Sequence, residues 1–387
     1  MKSNKFLIIL LLIIILLFYI SNLKSIYTID DMAYVIALGL DSTEDNSLEL
    51  TLQIAIHSSS DGEASSSSQS TSCITSSVKC NSISEGINYI NSYIGKKLNL
   101  SYCKIIVISE NLAEKGIENY ISTLINDIEV RPYCDVLISK CNSKYFLKNS
   151  QPYLEKLSAK YYKNEEISEK ITGYTQEISL LDFYNNYYDT YREPTAILGD
   201  QDSLSEDNNG KTENLGLAVF HNGSLVGELS YNETLCHLMI SNKFKNTVLT
   251  IPSPFSDLDH ISLQVSSVKT KKNVEFINGT PLISCDVSVS TRVLSASVNS
   301  NYMSKENIKK VEDFANSYLK DIITKYLYKT SIVLKSDIDS FGSVAVKQFA
   351  NQNDWENYNW LNKYSSCFFK VSVNTKLRSS YLVLGQW

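Results

Sequence analysis

One apolar segment near the N-terminus constrains this chain more than any other feature. Residues 6–20 read FLIILLLIIILLFYI, carry no charge and follow Lys2 and Lys5. No second run of this kind occurs later in the sequence. Because basic residues on the N-terminal flank keep that end in the cytoplasm, the pattern predicts one membrane element followed by a long body outside the membrane.

Three interpretations of this segment compete. Its helical length of about 22 Å is short for a hydrocarbon core of about 30 Å, which suits a cleaved signal peptide. Only Ser21 and Ser25 offer small residues near a cleavage position, so we favour an uncleaved anchor. A buried core helix fits worst, because the segment has no polar face. No cysteine precedes Cys73, so a lipoprotein attachment site is missing.

Length and composition indicate several domains with packed cores. The chain has 387 residues, 43% of them hydrophobic, and a net charge of −6. Lysine and arginine are scattered along it, which argues against nucleic acid or an anionic membrane surface as the main partner. We expect a membrane segment at 1–28, an α/β domain at 29–141, a helical, tyrosine-rich segment and linker at 142–213, and an α+β domain at 214–387.

The first of these domains shows alternating strand and helix patterns. Apolar runs at 32–40 and 48–57 predict a strand hairpin, and a serine-rich loop is expected at 58–77. Helical spacing follows at 82–98 and 111–127, with buried strands at 103–109 and 133–139. A strand, a crossover helix and a strand make a right-handed parallel unit. The sequence therefore predicts an N-terminal α/β domain.

The later part of the chain reads as strands followed by a long helix. Asn222-Gly223 and Asn278-Gly279 mark two hairpins, and further strands are expected at 248–251, 261–269, 273–277 and 282–296. A helix at 232–241, a long helix at 304–334 and a last strand at 367–377 complete the pattern. We expect a mainly antiparallel sheet covered by the long helix. The tyrosines at 180–191 suit either an aromatic platform or, as we favour, an ordinary packed helix.

The eight cysteines and four histidines form no recognisable site. Without a C-x-x-C pair a zinc ribbon is not indicated, and we expect mostly unpaired, partly buried thiols. The parallel unit would place Cys103 near Cys134, the pair to test first for a disulfide. His221 reads as a solvated turn residue, and Asp30-Asp31 as caps rather than a metal or acid pair. The sequence thus predicts no catalytic, cofactor-binding or metal-binding residue, and no enzyme.

Four segments in order resemble one known family. They are IDDMAYVIALGLD at 29–41, CKIIVISENLAEKGIENYISTLINDIEVRPYCDVLISK at 103–140, LGLAVFHNGSLVGELSYNETLCHLMI at 215–240 and SDIDSFG at 336–342. Together they are similar to the Ger(x)C family, the C subunit of bacterial spore nutrient-germinant receptors. One departure is that Tyr19-Ile20-Ser21-Asn22 stands where family members commonly carry an acylated cysteine.

The resemblance implies a role, partners and a location. Such a subunit would sit on the outer face of the spore inner membrane, beside integral-membrane subunits A and B, and would act in nutrient-triggered germination without catalysis or a cofactor. Because no acyl chain can attach at the usual place, the apolar segment or the partner subunits would hold it. The alternative from the residues alone is a stand-alone, membrane-tethered solute-binding protein.

Overall fold

The computed structural model of this chain describes residues 10–17, 31–45, 47–56, 73–150, 171–201, 212–295 and 304–378. The predicted membrane segment lies mostly outside these ranges, and so do the serine-rich residues 57–72 and the linker residues 202–211. Residues 10–17 form a short helix, α1, with exposed apolar side chains. Among helices in the described ranges, none combines the length and apolarity that a bilayer crossing requires.

A mixed sheet dominates the first part of the chain, in the order β3-β2-β1-β5-β6-β7-β8-β9 with β4 beside β1. The predicted antiparallel hairpin β1–β2 is present, and β1, β5, β6 and β7 run parallel. The hairpin β8–β9 then closes the sheet in the antiparallel sense. The strands are β1 Met32–Ser42, β2 Leu48–Ala55, β3 Cys73–Cys80, β4 Lys97–Asn99, β5 Ile105–Ser109, β6 Asp135–Ser139, β7 Thr195–Gln201, β8 Thr212–His221 and β9 Ser224–Leu229.

Both faces of the parallel strands are covered, which explains their nearly continuous apolar sequences. Every residue of β5 and β6 is buried. Two clusters of buried side chains lie on the two faces, and the smaller one includes Phe146 and Leu147. The helices on the larger side are α2 Ile83–Ile94, α3 Glu110–Lys115, α4 Glu118–Asn126 and α6 Leu180–Tyr187, and α5 Ser143–Asn149 covers the other.

Three local predictions in this region are wrong. The single helix expected at 111–127 is two helices, because Gly116 turns the chain at a φ of 104° and the next amide, of Ile117, donates to the Gly223 carbonyl. The end of the expected serine-rich loop is strand β3, which pairs with β2. The end of the expected helical segment is strand β7, held between β6 and β8. Both strands depend on partners distant in sequence.

The second sheet has the order β10-β11-β12-β13, with strands Thr247–Ser253, Ser256–Ile277, Thr280–Ser295 and Phe368–Leu377. Its pairs are antiparallel except β12–β13, as a mainly antiparallel sheet predicts. The long helix α8, Lys305–Tyr328, covers one face, and its Asn316 and Glu312 accept hydrogen bonds from strand amides at the β13 edge. The predicted fold class is confirmed, although the regular helix ends at Tyr328, before a π-helical turn, Lys329–Val333.

Short helices join the two sheets. They are α7 Tyr231–Ile240, α9 Gly342–Ala345, α10 Gln352–Tyr358 and α11 Trp360–Lys363. A continuous cluster of buried apolar side chains runs from the first sheet through these helices to the second. Its bulkiest buried members include Trp355, Trp360, Tyr326 and Tyr364. The two sheets therefore share packing across this junction.

Candidate functional site

Residues 336–342, SDIDSFG, lie at the junction of the two sheets and carry three buried polar side chains, those of Ser336, Asp337 and Asp339. Lys335 and Ser340 adopt left-handed backbone conformations, with φ of 53° and 61°. Gly342 has no space for a side chain, because a Cβ there would lie 2.5 Å from the Tyr191 carbonyl oxygen. The turns of this segment therefore depend on close backbone approaches.

Two contacts attach this segment to the first sheet and its loops. The Ser336 hydroxyl donates to the Phe220 carbonyl at 2.7 Å, and the Glu193 amide donates to the Asp337 carbonyl at 2.9 Å. Phe220 belongs to β8, and Glu193 lies just before β7. The segment is thus attached to strand β8 and to the residues that lead into β7.

Asp337 is a fully buried carboxylate held by three N–H donors. The amides of Phe341 and Gly342 donate at 3.1 and 2.8 Å, and the Trp360 indole donates at 2.7 Å. Burial raises the pKa of Asp337 to about 7, although these donors act in the opposite direction. The carboxylate therefore closes the DSFG turn and attaches it to α11.

Asp339 is the centre of a second buried network. Its carboxylate accepts from the Tyr326 hydroxyl at 2.7 Å and lies 2.9 Å from His237 Nδ1, while its carbonyl accepts from Lys272 Nζ at 2.6 Å. The far ring nitrogen of His237 lies 3.2 Å from Gln176 Oε1. Tyr326 on α8 and His237 on α7 contact the carboxylate, and Lys272 on β11 contacts the main-chain carbonyl. Gln176, in the chain before α6, is reached through His237, so Asp339 and His237 together connect elements of both sheets.

This Asp–His arrangement differs from a nucleophilic triad. The ring nitrogen distal to the aspartate faces an amide oxygen rather than a serine or cysteine. The adjacent Cys236 is buried, and burial raises the pKa of its thiol far above the ordinary value. In the described part of the chain, no cluster of three or more histidine, cysteine or acidic side chains could hold a metal ion. The geometry suits mechanical connection of the two sheets.

A polar cavity of about 440 Å³ opens next to this network. Gln176 contributes to its wall and also contacts His237, so the cavity and the buried network share a side chain. The wall carries both carboxylates and ammonium groups; it comprises Tyr133, Gln176, Glu177, Ser179, Asp182, Asn242, Lys243 and Lys245. Its chemistry suits a small polar solute more than an apolar one.

A third buried aspartate, Asp41, ends the sequence IALGLD at residues 36–41 of β1. Asp41 accepts from the amides of Ser143 and Lys144 at 2.7 and 3.1 Å and from the Ser143 hydroxyl at 2.6 Å. A Cβ on Gly39 would lie 2.6 Å from that hydroxyl. The carboxylate caps the N-terminus of α5, so this motif has a structural role.

The structure also locates the residues that the sequence singled out. His221 is not the solvated residue expected, because its Nδ1 lies 2.8 Å from Glu193 Oε1 and its side chain is half-buried. The tyrosine-rich helix packs Leu180 and Phe183 into the core, as the favoured interpretation states. Asp30 lies outside the described residues. All eight cysteines are free thiols, including Cys103 and Cys134.

Comparison with known proteins finds family models and relatives that this chain resembles. A family model described as spore germination protein N-terminal domain matches residues 26–199, and one described as spore germination B3/GerAC like, C-terminal, matches residues 215–381. Spore germination protein KC of Bacillus subtilis (strain 168) is 24% identical over 346 residues, 85% of this chain and 84% of its own. Spore germination protein GerQC of Bacillus cereus is 19% identical over 284 residues, 73% and 76% of the two chains.

A solved structure has a fold similar to that of this chain. The crystal structure of the GerBC protein aligns with a TM-score of 0.57 at 16% identity, over 88% of this chain and 96% of that one. At this identity the match concerns fold alone. The two family models occupy successive parts of the chain and together leave out little beyond the N-terminal segment. The chain therefore belongs to the Ger(x)C family of spore germination proteins, as its sequence resemblance predicts.

Proposed function

We propose that this chain is the extracytoplasmic C subunit of a nutrient-germinant receptor, attached to the outer face of the spore inner membrane. The observation that carries the proposal is the ordered match of two spore germination family models across most of the chain. The apolar residues 6–20 supply the means of attachment. Its partners would be the integral-membrane subunits A and B of the same complex.

The buried networks support an interaction role rather than turnover. Asp337 and Asp339 are both almost completely inaccessible, and their partners are main-chain amides and side chains of the packed junction. A body of this kind would present fixed surfaces to partner subunits. It would act through protein–protein contacts, with neither a catalytic residue nor a cofactor.

Deletion of the gene tests this function in spores that lack related receptors. We expect nutrient-triggered germination to be lost and to return when the wild-type gene is restored, while germination by a receptor-independent agent continues. Normal nutrient response in the deletion strain would contradict the proposal. Restoration by a chain in which residues 6–20 are replaced by a polar sequence would contradict the anchor alone.

The polar cavity favours a second candidate function, a tethered protein that binds a small solute by itself. Its mixed carboxylate and ammonium wall would suit a zwitterionic or hydroxylated molecule. A bound solute would raise the melting temperature of the purified chain, with a stabilisation that grows as the logarithm of one plus the ratio of solute concentration to Kd. No shift across a panel of amino acids and sugars would reject this alternative.

A further inference from the structure

Within the part of the chain that the structure describes, one face of the second sheet is open and the other is packed. Along β11 the odd-numbered residues 269–275 are exposed. The intervening Thr270 is buried and its hydroxyl donates to the Met239 carbonyl of α7 at 2.7 Å. On β13, Thr375 is likewise buried, and its amide donates to Asn316 of α8. The helices α7 and α8 therefore cover one side only.

Strand register brings basic residues from distant parts of the sequence onto that open side. Lys271 pairs with Asp286 of β12, which pairs with Ser372 of β13. Lys269 lies one row away, opposite Ser288. Lys370 and Lys376 are opposite Ser284 and Ser290, and Arg292 is opposite Gln264. We name this set the basic face; it comprises Lys269, Lys271, Arg292, Lys370 and Lys376.

The basic face has the opposite sign to the rest of the molecule. Five cations share these rows with two acidic side chains, Glu275 and Asp286, whereas the whole chain carries a net charge of −6. The scattered lysines of the sequence become a cluster because alternate residues of a strand share one face. An anionic partner would be attracted to this side and repelled by the remainder.

The composition of the basic face favours a broad, diffuse anionic surface. Its central rows contain Ser284, Ser288, Ser372 and Asn374 between the cations. Protein interfaces usually place aromatic and apolar side chains at their centre, and these rows have none. Phe368, 60% exposed, lies at one end of the face, where a ring can enter the interfacial layer of a bilayer.

We propose that the basic face rests on the anionic lipid headgroups of the membrane to which the chain is attached. This inference rests on the membrane location given under the proposed function. Each basic residue held close to an anionic bilayer increases partitioning by about fivefold, and the attraction extends only over a Debye length, about 10 Å at 0.1 M salt. A tether would keep the body within that range and the basic face would set its orientation.

Amine footprinting of the full chain tests this orientation. The chain is reconstituted into vesicles of phosphatidylcholine alone or with added phosphatidylglycerol, and the acylation rate of each lysine is measured by mass spectrometry. On the anionic vesicles we expect the acylation rates of four lysines to fall at least about threefold; these are Lys269, Lys271, Lys370 and Lys376. High salt should return these rates to the values measured on phosphatidylcholine alone. The exposed lysines of α8, Lys305, Lys309, Lys310 and Lys320, should react equally on both.

Matched charge variants separate the basic face from net charge. A reporter cysteine, Ser288→Cys, is placed at the centre of the face, and its alkylation is followed on anionic vesicles. Glutamine at the four lysines of the basic face should abolish the protection. Glutamine at the four α8 lysines, which changes the net charge equally, should leave it intact.

Three outcomes would overturn the inference. They are equal reactivity of both lysine sets, protection that is the same on phosphatidylcholine, and protection that appears only when a membrane-protein fraction is added, which would indicate an acidic protein partner. The apolar anchor is tested separately, by measuring whether the chain stays bound to phosphatidylcholine vesicles at high salt. Failure of the anchor is therefore distinguishable from failure of the basic face.

Discussion

Replacement of Asp339 by alanine should weaken the junction between the two sheets. The carboxylate is 1% exposed and accepts from the Tyr326 hydroxyl at 2.7 Å, with His237 Nδ1 at 2.9 Å. Without it, two buried polar groups lose their partner, at about 1–3 kcal/mol each. Because Tyr326 and His237 lie 3.3 Å apart and can partly satisfy each other, we expect a loss of about 3 kcal/mol in the free energy of unfolding.

Urea denaturation followed by tryptophan fluorescence measures this loss, since Trp355 and Trp360 are buried beside the segment. Asp339→Asn keeps one acceptor and should cost about half as much. The control is Asp321→Ala, which removes only an exposed ion pair with Lys325 and should cost about 0.5 kcal/mol or less. An Asp339→Ala protein as stable as the control would refute the reasoning.

Three further predictions concern other buried groups. Burial raises the pKa of Asp337 to about 7 in the folded state, above the value of about 4 in an unfolded chain. Its contribution to stability is therefore complete at acidic pH and is lost as pH rises from about 4 to above 7. The free energies of unfolding of wild type and Asp337→Asn should diverge by about 4 kcal/mol over that window. Parallel curves would contradict this. Gly39→Ala should reduce the free energy of unfolding by about 1–3 kcal/mol, because the new Cβ meets the Ser143 hydroxyl; an unchanged urea midpoint would contradict the steric argument. Native titration with a thiol reagent should modify only the two half-buried thiols, Cys73 and Cys141, and unfolding should release all eight; fewer than eight would indicate a disulfide.

Local signals predicted much of the fold. The Asn-Gly turns at 222–223 and 278–279 have positive φ at both positions, as two-residue hairpins require. The apolar runs of β5 and β6 correctly predicted parallel strands, because strands buried on both faces have nearly continuous apolar sequences. Such signals lie within a few residues of one another, so a single sequence contains them.

The features that the sequence did not reveal depend on distant partners. Strand β7 is defined by its pairing with β6 and β8, and its residues alone resemble the end of a helical segment. Asp339 contacts residues 237, 272 and 326 directly, and His237 extends the network to residue 176. The basic face depends on the register of β11, β12 and β13. The spacing of Lys269 and Lys271 indicates only that these two side chains lie on the same face of a strand.

The central claim is that this chain works in the membrane as one subunit of a receptor. Affinity purification of the tagged chain from detergent extracts of dormant-spore membranes tests it most directly, with a salt wash before extraction. The account predicts that the chain stays with the membranes through the wash and then elutes with two integral-membrane proteins in constant proportion. Release of the chain by the wash, or its elution alone, would contradict the account.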